Sequence, residues 1–431
     1  MTLLIDDGNP AVFISFAFNI CQYQQPNQNH MNAGDIAKRI KELSESQTLE
    51  MAAKSRELIK QGKDIINLSL GEPDFHTPDY INEAAKKAVD DHVTHYPPVN
   101  GFEELREAVC KKLQRDNGLA YKPSNIVIST GAKQSLMNVF LSLVNPGDEV
   151  LLPTPYWVSY YAMAEFAGAE IKTLKTGVES GFKMTAESLR KKLSSKTKLL
   201  VFSSPCNPSG SAYNRDELAE LAGVIEDFPN LYVVSDEIYE LITFDGHQHA
   251  SLASFDSIKD RVITVNGVSK GFAMTGWRIG YLAAHETIAK SCTKIQGQFT
   301  SGANTIAQMA AAAALESAPE KVNYMIEAFA ERRQLILNKL DEIEGMTASS
   351  PEGAFYVFPD VKTYFGRDTP SGKVIAHSTD LCMYLLEEAE VSTVPGEAFG
   401  DENCIRISYA TDEKSIIKAM DRIKAALEKL K

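Results

Sequence analysis

Paired cysteines are missing from this chain. Its six cysteines stand singly at Cys21, Cys110, Cys206, Cys292, Cys382 and Cys404, with no CxxC pair and no Cys/His cluster at zinc spacing. That excludes a disulfide scaffold or zinc module and reads as reduced thiols of a cytoplasmic protein, with no metal expected. Long apolar runs are missing too. The longest, AVFISFAFNI at residues 11–20, falls well short of the roughly 18 residues a membrane span needs. Asp6 and Asp7 precede it instead of Lys or Arg, and no AxA-like cleavage site follows, so it makes a poor signal peptide. Positive charge is scarce: 44 Lys and Arg face 57 Asp and Glu, a formal net charge of −13. Such a balance disfavours partners with phosphate backbones or anionic lipid surfaces. Tandem repeats and Walker-type spacing are also lacking.

What is present is enough apolar residue, 44% of 431, to build two or more packed subdomains. Residues 1–30 turn to Gln, Asn and Pro after the apolar run; they read as a disordered extension, or as sequence upstream of a true start at Met31. From Asp35 to Gln61 apolar residues fall at helical spacing, interrupted around SESQT. Gly71, Pro73 and Pro78 then mark a connecting segment. The expected division is an arm with part of a small domain at 31–75, a large domain at 76–320 and a small domain at 321–431.

Between 125 and 285 the runs NIVIST, EVLLPTP, EIKTLK, TKLLVFSS, LYVVSDE, RVITVNG and RIGYLAA alternate with helical patterns such as KQSLMNVFLSLV and RDELAELAGVIEDF. Several runs are apolar on both faces, which predicts an α/β fold with a largely parallel sheet covered by helices. In such sheets ligands bind beyond the carboxyl ends of the strands. Those ends hold Gly131, Pro155, Asn207, Asp236 and Lys270. After about residue 320, a long helical stretch, GAFYVFP, VSTVPG, CIRISYA and a closing amphipathic helix suggest a second α+β layer.

Lys270 ends a buried run inside a Gly-rich loop, where an apolar setting lowers an amine's pKa enough to make it a nucleophile. Arg278, eight residues on, can neutralise a phosphate; the alternative is an ordinary surface loop. Asp236 ends another apolar strand and needs a cationic partner, such as a protonated pyridine nitrogen acting as an electron sink. Its alternative is a helix N-cap. Tyr239, three residues on, shares its face. Asn207 in SSPCNPSG can donate a hydrogen bond, although taken alone it reads as turn chemistry. STGAKQ runs from strand into helix, so its amides can hold a phosphate. Trp157 can stack on an aromatic ring or fill the core. Arg406 in CIRISYA suits bidentate capture of a carboxylate or, equally, a surface ion pair.

Taken in order, GEPDF, YPPVNG, GAKQ, PYWVSY, PCNPSG, SDEIYE, SKGFAMTGWRIGY, GAFYVFP and IRISYA resemble the class I aminotransferases, in particular the Ib subgroup of aspartate aminotransferases that also holds prephenate aminotransferases. The resemblance spans Met31 to the C-terminus. It implies pyridoxal 5'-phosphate as cofactor, fold type I with a mixed seven-stranded sheet, and a homodimer. It implies Lys270 as the Schiff-base lysine, Asp236 at the pyridine nitrogen, Asn207 and Tyr239 at the ring hydroxyl, and Trp157 stacked on the ring. Gly131, Ala132, Ser269 and Arg278 would hold the phosphate, with Lys133 beside them, and Tyr96 would reach the neighbouring subunit's site. Arg406 would bind the substrate α-carboxylate with backbone help from Gly71. Lys133 and Thr48 match contacts to the rest of the substrate, favouring aspartate and glutamate, with a keto acid closing a ping-pong cycle. GAK and CNPSG stand where many relatives have GGK and NNPTG; Ala132 and Cys206 are small enough to keep the cradle. Ser44 replaces the basic residue of some prephenate-active relatives. Pro155 and Pro208 match positions commonly cis. The competing expectations are a prephenate or broad-range (aromatic or alanine) aminotransferase, a C–S lyase or cyclopropane-forming synthase on this scaffold, and a transcription regulator, which would need a basic DNA-binding domain.

Overall fold

A computed structural model describes residues 36–41 and 47–431. The chain divides into two units, Met1–Glu42 and Leu43–Lys431. Within the first, Lys38–Lys41 forms one helical turn. In the second, twelve strands run in chain order among the described residues: β1 (Ile66–Asn67), β2 (Ile126–Thr130), β3 (Glu149–Pro153), β4 (Glu170–Leu174), β5 (Thr197–Ser203), β6 (Tyr232–Asp236), β7 (Val262–Gly267), β8 (Ile279–Ala283), β9 (Tyr356–Val357), β10 (Val391–Ser392), β11 (Val394–Pro395) and β12 (Ile405–Ser408). Seven of them build one sheet in the order β2-β8-β7-β6-β5-β3-β4. Only β8 opposes its neighbours, pairing antiparallel with β2 and β7; the other pairs are parallel. The expected α/β class and mostly parallel sheet are borne out.

The period of two along each strand sends successive apolar side chains to opposite faces. Val127, Val150, Leu199, Val201 and Val234 meet Leu136, Val139 and Phe140 of helix Ala132–Leu143 and Ile288 of helix Glu286–Phe299 in one apolar cluster. Ile126, Ile128, Leu151, Leu200 and Val233 face the other way, into the core shared with helices Asp79–Asp90, Glu103–Asn117 and Thr305–Glu316. Each such burial contributes about 1.5–3 kcal/mol, so the sheet is fixed from both sides. At the edge, β4 alternates exposed Glu170 and Lys172 with partly buried residues, as a solvated edge strand should.

Beyond the sheet, β11, β12 and β9 form an antiparallel trio, and β1 pairs in parallel with β10. Helices Asn323–Asp341 and Glu413–Leu427 pack against each other, and the second also meets β10. Among the described residues no helix is long and apolar enough to cross a membrane. The five described cysteines are free thiols, and Cys21 lies outside the described residues.

Candidate active site

Parallel strands β5, β6 and β7 all end on one side, and the residues that follow them line a cleft of about 310 Å³. β7 delivers Ser269 and Lys270. The Lys270 ammonium donates to the Gly71 carbonyl. Burial, then the positive charge of Arg406, lowers its pKa to about 8, against a partial offset from Glu72. β6 delivers Asp236, 4% exposed. Its Oδ2 accepts the Tyr160 hydroxyl at 2.7 Å and its Oδ1 the Ile238 amide at 3.2 Å. Burial raises its pKa to about 6, and those two hydrogen bonds work against the rise.

The loop after β5 carries Asn207. Its side-chain oxygen accepts from Arg406 Nη1 at 3.0 Å, leaving the amide N–H groups for a ligand. Arg406, on β12, donates through Nη2 to the Ser69 carbonyl at 2.6 Å and lies against the rings of Tyr356, at 4.6 Å, and Phe399, at 5.1 Å. Its Nε is buried with no partner among the described residues. An orphaned donor on a buried cation is costly, and a carboxylate entering the cleft would relieve it.

At the other end of the cleft, helix Ala132–Leu143 starts without a side-chain cap. Gly131 sits there at φ +78°, and a Cβ on it would come within 2.3 Å of Arg278 Nη2, so only glycine lets the guanidinium close on the helix start. Gly280 lets the backbone of β8 close on the same helix start, since a Cβ there would lie 2.1 Å from the Ala132 nitrogen. Uncapped amides, the helix dipole and an arginine form an anion cradle. Lys133 leans over the Trp157 ring at 4.9 Å. Burial, then the charge of Arg278, lowers its pKa.

The structure therefore brings Gly71, Ala132, Lys133, Trp157, Asn207, Asp236, Tyr239, Ser269, Lys270, Arg278 and Arg406 to one cleft, with Gly131 beside Arg278. Tyr96 stands outside it, 97% exposed. Thr48 lies in helix Gln47–Lys60 with its side chain outside the described residues, and Ser44 lies outside them altogether. The peptide bonds before Pro155 and Pro208 are cis, as is the unanticipated one before Pro205.

Sequence reasoning missed Tyr160, three residues after Trp157 and so on the same helix face, although that spacing was readable. It also missed Tyr356, whose hydroxyl shares a 2.8 Å hydrogen bond with Tyr239. Behind Asp236, the ligand atoms of Glu237, Glu240 and His249 lie within 4.8 Å of one another. Their carboxylates already accept Lys112, Asn117, Asn266, Ser235, Ser251 and His249, a paired-charge network rather than a metal centre.

An amine with lowered pKa, a buried carboxylate, an anion cradle and a free arginine donor at the carboxyl ends of a parallel sheet form an α/β site with the groups to receive a small anionic molecule beside a lysine. The family model for class I and II aminotransferases matches residues 63–423. Among relatives, the chain is 44% identical to the bifunctional aspartate aminotransferase and glutamate/aspartate-prephenate aminotransferase of Petunia hybrida, over 92% of this chain and 83% of that one. It is 44% identical to the aspartate/prephenate aminotransferase of Cereibacter sphaeroides, over 88% and 95% respectively. The crystal structure of the aspartate aminotransferase from Rhizobium meliloti superposes with a TM-score of 0.89 at 40% identity, covering 92% of this chain and 99% of that one. The chain belongs to the class I and II aminotransferases.

Proposed function

We propose that this aminotransferase uses pyridoxal 5'-phosphate to move the amino group of L-aspartate to 2-oxoglutarate, giving oxaloacetate and L-glutamate in two half-reactions. The observation that carries this reading is the pairing, in one cleft, of the Lys270 amine with the buried Asp236 carboxylate. The cofactor fits the residues present: the uncapped helix start with Gly131, Ala132, Ser269 and Arg278 suits its phosphate, Asp236 its ring nitrogen, Trp157 its ring face, and Asn207 and Tyr239 its hydroxyl. Bound there, its ring would withdraw the charge that develops at the substrate Cα.

The chain's own residues supply the rest. Arg406 takes the α-carboxylate through its free Nε, with the Gly71 backbone beside it. Lys270, whose pKa burial lowers, would serve as the neutral base that removes the Cα proton. Asp236 would hold a proton on the ring nitrogen. Lys133 takes the distal carboxylate, a role Thr48 shares. Replacing Lys133 by Met is expected to cut kcat/KM for L-aspartate about 10- to 100-fold, the worth of a charge-assisted hydrogen bond, while leaving L-alanine nearly unaffected. Steady-state kinetics with the two substrates checks this; equal losses on both would remove Lys133 from substrate choice.

Prephenate is a second substrate reading, supported by the prephenate aminotransferase activity named for both relatives above. Arg406 and Lys133 would take its two carboxylates. A homodimer is supported by the exposure of Tyr96, a ring left in water by the single chain and suited to reach a neighbouring subunit's phosphate. The division at 31–75, 76–320 and 321–431 is supported by β1 joining β10 from the far end of the chain. A cytoplasmic setting agrees with the unpaired thiols.

The test is an absorption spectrum of the protein loaded with pyridoxal 5'-phosphate, before and after L-aspartate without keto acid. The expected result is conversion of the bound chromophore, release of oxaloacetate and recovery on adding 2-oxoglutarate. A chromophore that forms but ignores aspartate would remove aspartate as the substrate.

A further inference from the structure

Asp236 accepts two protein hydrogen bonds, and they differ in kind. The Ile238 amide belongs to the same turn, so it follows wherever the strand end goes. The Tyr160 hydroxyl comes from helix Val158–Phe166, 76 residues away in sequence. Tyr160 is 1% exposed, its ring lies edge-on to Trp157 at 5.5 Å, and it sits in the apolar cluster with Met163, Val201 and Val234. Packed so, at the wall of the cleft, it is almost wholly withdrawn from water, and its hydroxyl donates to Asp236 Oδ2.

Few other groups set the charge of Asp236. Lys270 favours its ionised form and Glu237 opposes it. Tyr239 and Cys206, which also face it, stay neutral because burial raises both. Tyr160 itself stays protonated, its pKa held far up first by burial and then by the Asp236 charge.

We propose that Tyr160 is a positioning residue: its hydroxyl fixes one carboxylate oxygen of Asp236 and keeps the carboxylate ionised, ready to receive the ring nitrogen of the cofactor. The inference rests on the pyridoxal phosphate reading above. Removing the hydroxyl withdraws the donor that opposes the effect of burial, so Asp236 takes up its proton at higher pH. A protonated Asp236 offers the ring nitrogen no negative charge. Cofactor affinity is therefore full above the Asp236 pKa and is lost as pH falls through it.

The experiment titrates the full-length, cofactor-free protein with pyridoxamine 5'-phosphate, which carries the same ring and phosphate but cannot condense with Lys270, and follows tryptophan fluorescence across pH. Tyr160→Phe is expected to bind about tenfold more weakly near neutral pH, with the midpoint of the pH profile moved upward. Site-specific 3-fluorotyrosine at 160, a stronger donor of nearly the same shape, is expected to move the midpoint downward. Tyr409→Phe, which removes a buried hydroxyl that donates to the Ala354 carbonyl, is expected to leave it in place. A wild-type affinity and midpoint in Tyr160→Phe would overturn the proposal; if that variant does not fold, an unmoved midpoint in the fluorotyrosine protein overturns it. If the wild-type protein binds no pyridoxamine 5'-phosphate, the reading of the site falls, and this inference with it.

Discussion

Lys270→Ala is expected to lower kcat for aspartate transamination by about 10⁴-fold or more while leaving the fold intact. The size follows from two tasks resting on one amine: covalent capture of an aldehyde and proton transfer at the substrate Cα. Folding should survive, because among the described residues the ammonium donates only to the Gly71 carbonyl, which lines the same cleft, and water can replace it there. Circular dichroism paired with single-turnover kinetics checks both halves. Residual activity within tenfold of wild type would show that another base does the work.

The pH dependence of the same amine can be read separately. Only the neutral amine attacks an aldehyde, and burial together with Arg406 lowers the Lys270 pKa to about 8. A lysine in water stays protonated to about pH 10.4. Capture of pyridoxal 5'-phosphate by the empty protein should therefore accelerate as pH rises toward about 8 and level off above it. A rate still climbing at pH 9.5 to 10, about where a solvated lysine titrates, would mean the cleft does not tune this amine.

Lys270 and Asp236 were legible because each ends an apolar strand, where a charge is expensive unless it has a task. Arg406 was legible as an inward cation on a strand, but not the company it keeps. Its bonds to Asn207 and the Ser69 carbonyl join residues 199 and 337 positions apart, which no local pattern encodes. The Tyr239–Tyr356 pair was hidden for the same reason: GAFYVFP reads as a strand, and a period of two does not say which alternate side chain meets the site. The single reversed strand, β8, carries the same apolar run as its parallel neighbours, so burial pattern alone could not reveal its direction. Tyr96 is the opposite case. A tyrosine in YPPVNG reads locally as an ordinary loop residue and is marked only by the family resemblance, and the described chain leaves it exposed and outside the cleft.

Arg406→Lys is the other substitution with a large expected effect, a fall in kcat/KM of about 10²- to 10³-fold on every amino-acid substrate. Lysine keeps the charge but loses the planar fork. Its three N–H bonds radiate from a single nitrogen, so they cannot span the separate positions from which the fork holds the Asn207 oxygen and the Ser69 carbonyl and also meets a carboxylate, and at least one of these acceptors goes unpaired. Because every amino acid carries the α-carboxylate, the loss should be uniform across substrates, unlike the aspartate-selective loss in Lys133→Met. Charge and geometry separate further in the Lys270 titration. Arg406→Lys retains the positive charge that helps depress the lysine, so the midpoint for aldehyde capture should stay near 8. Arg406→Gln removes that charge, and the midpoint should rise. If both variants leave the midpoint unchanged, burial alone tunes Lys270; if Arg406→Lys keeps full kcat/KM, the substrate carboxylate is bound elsewhere.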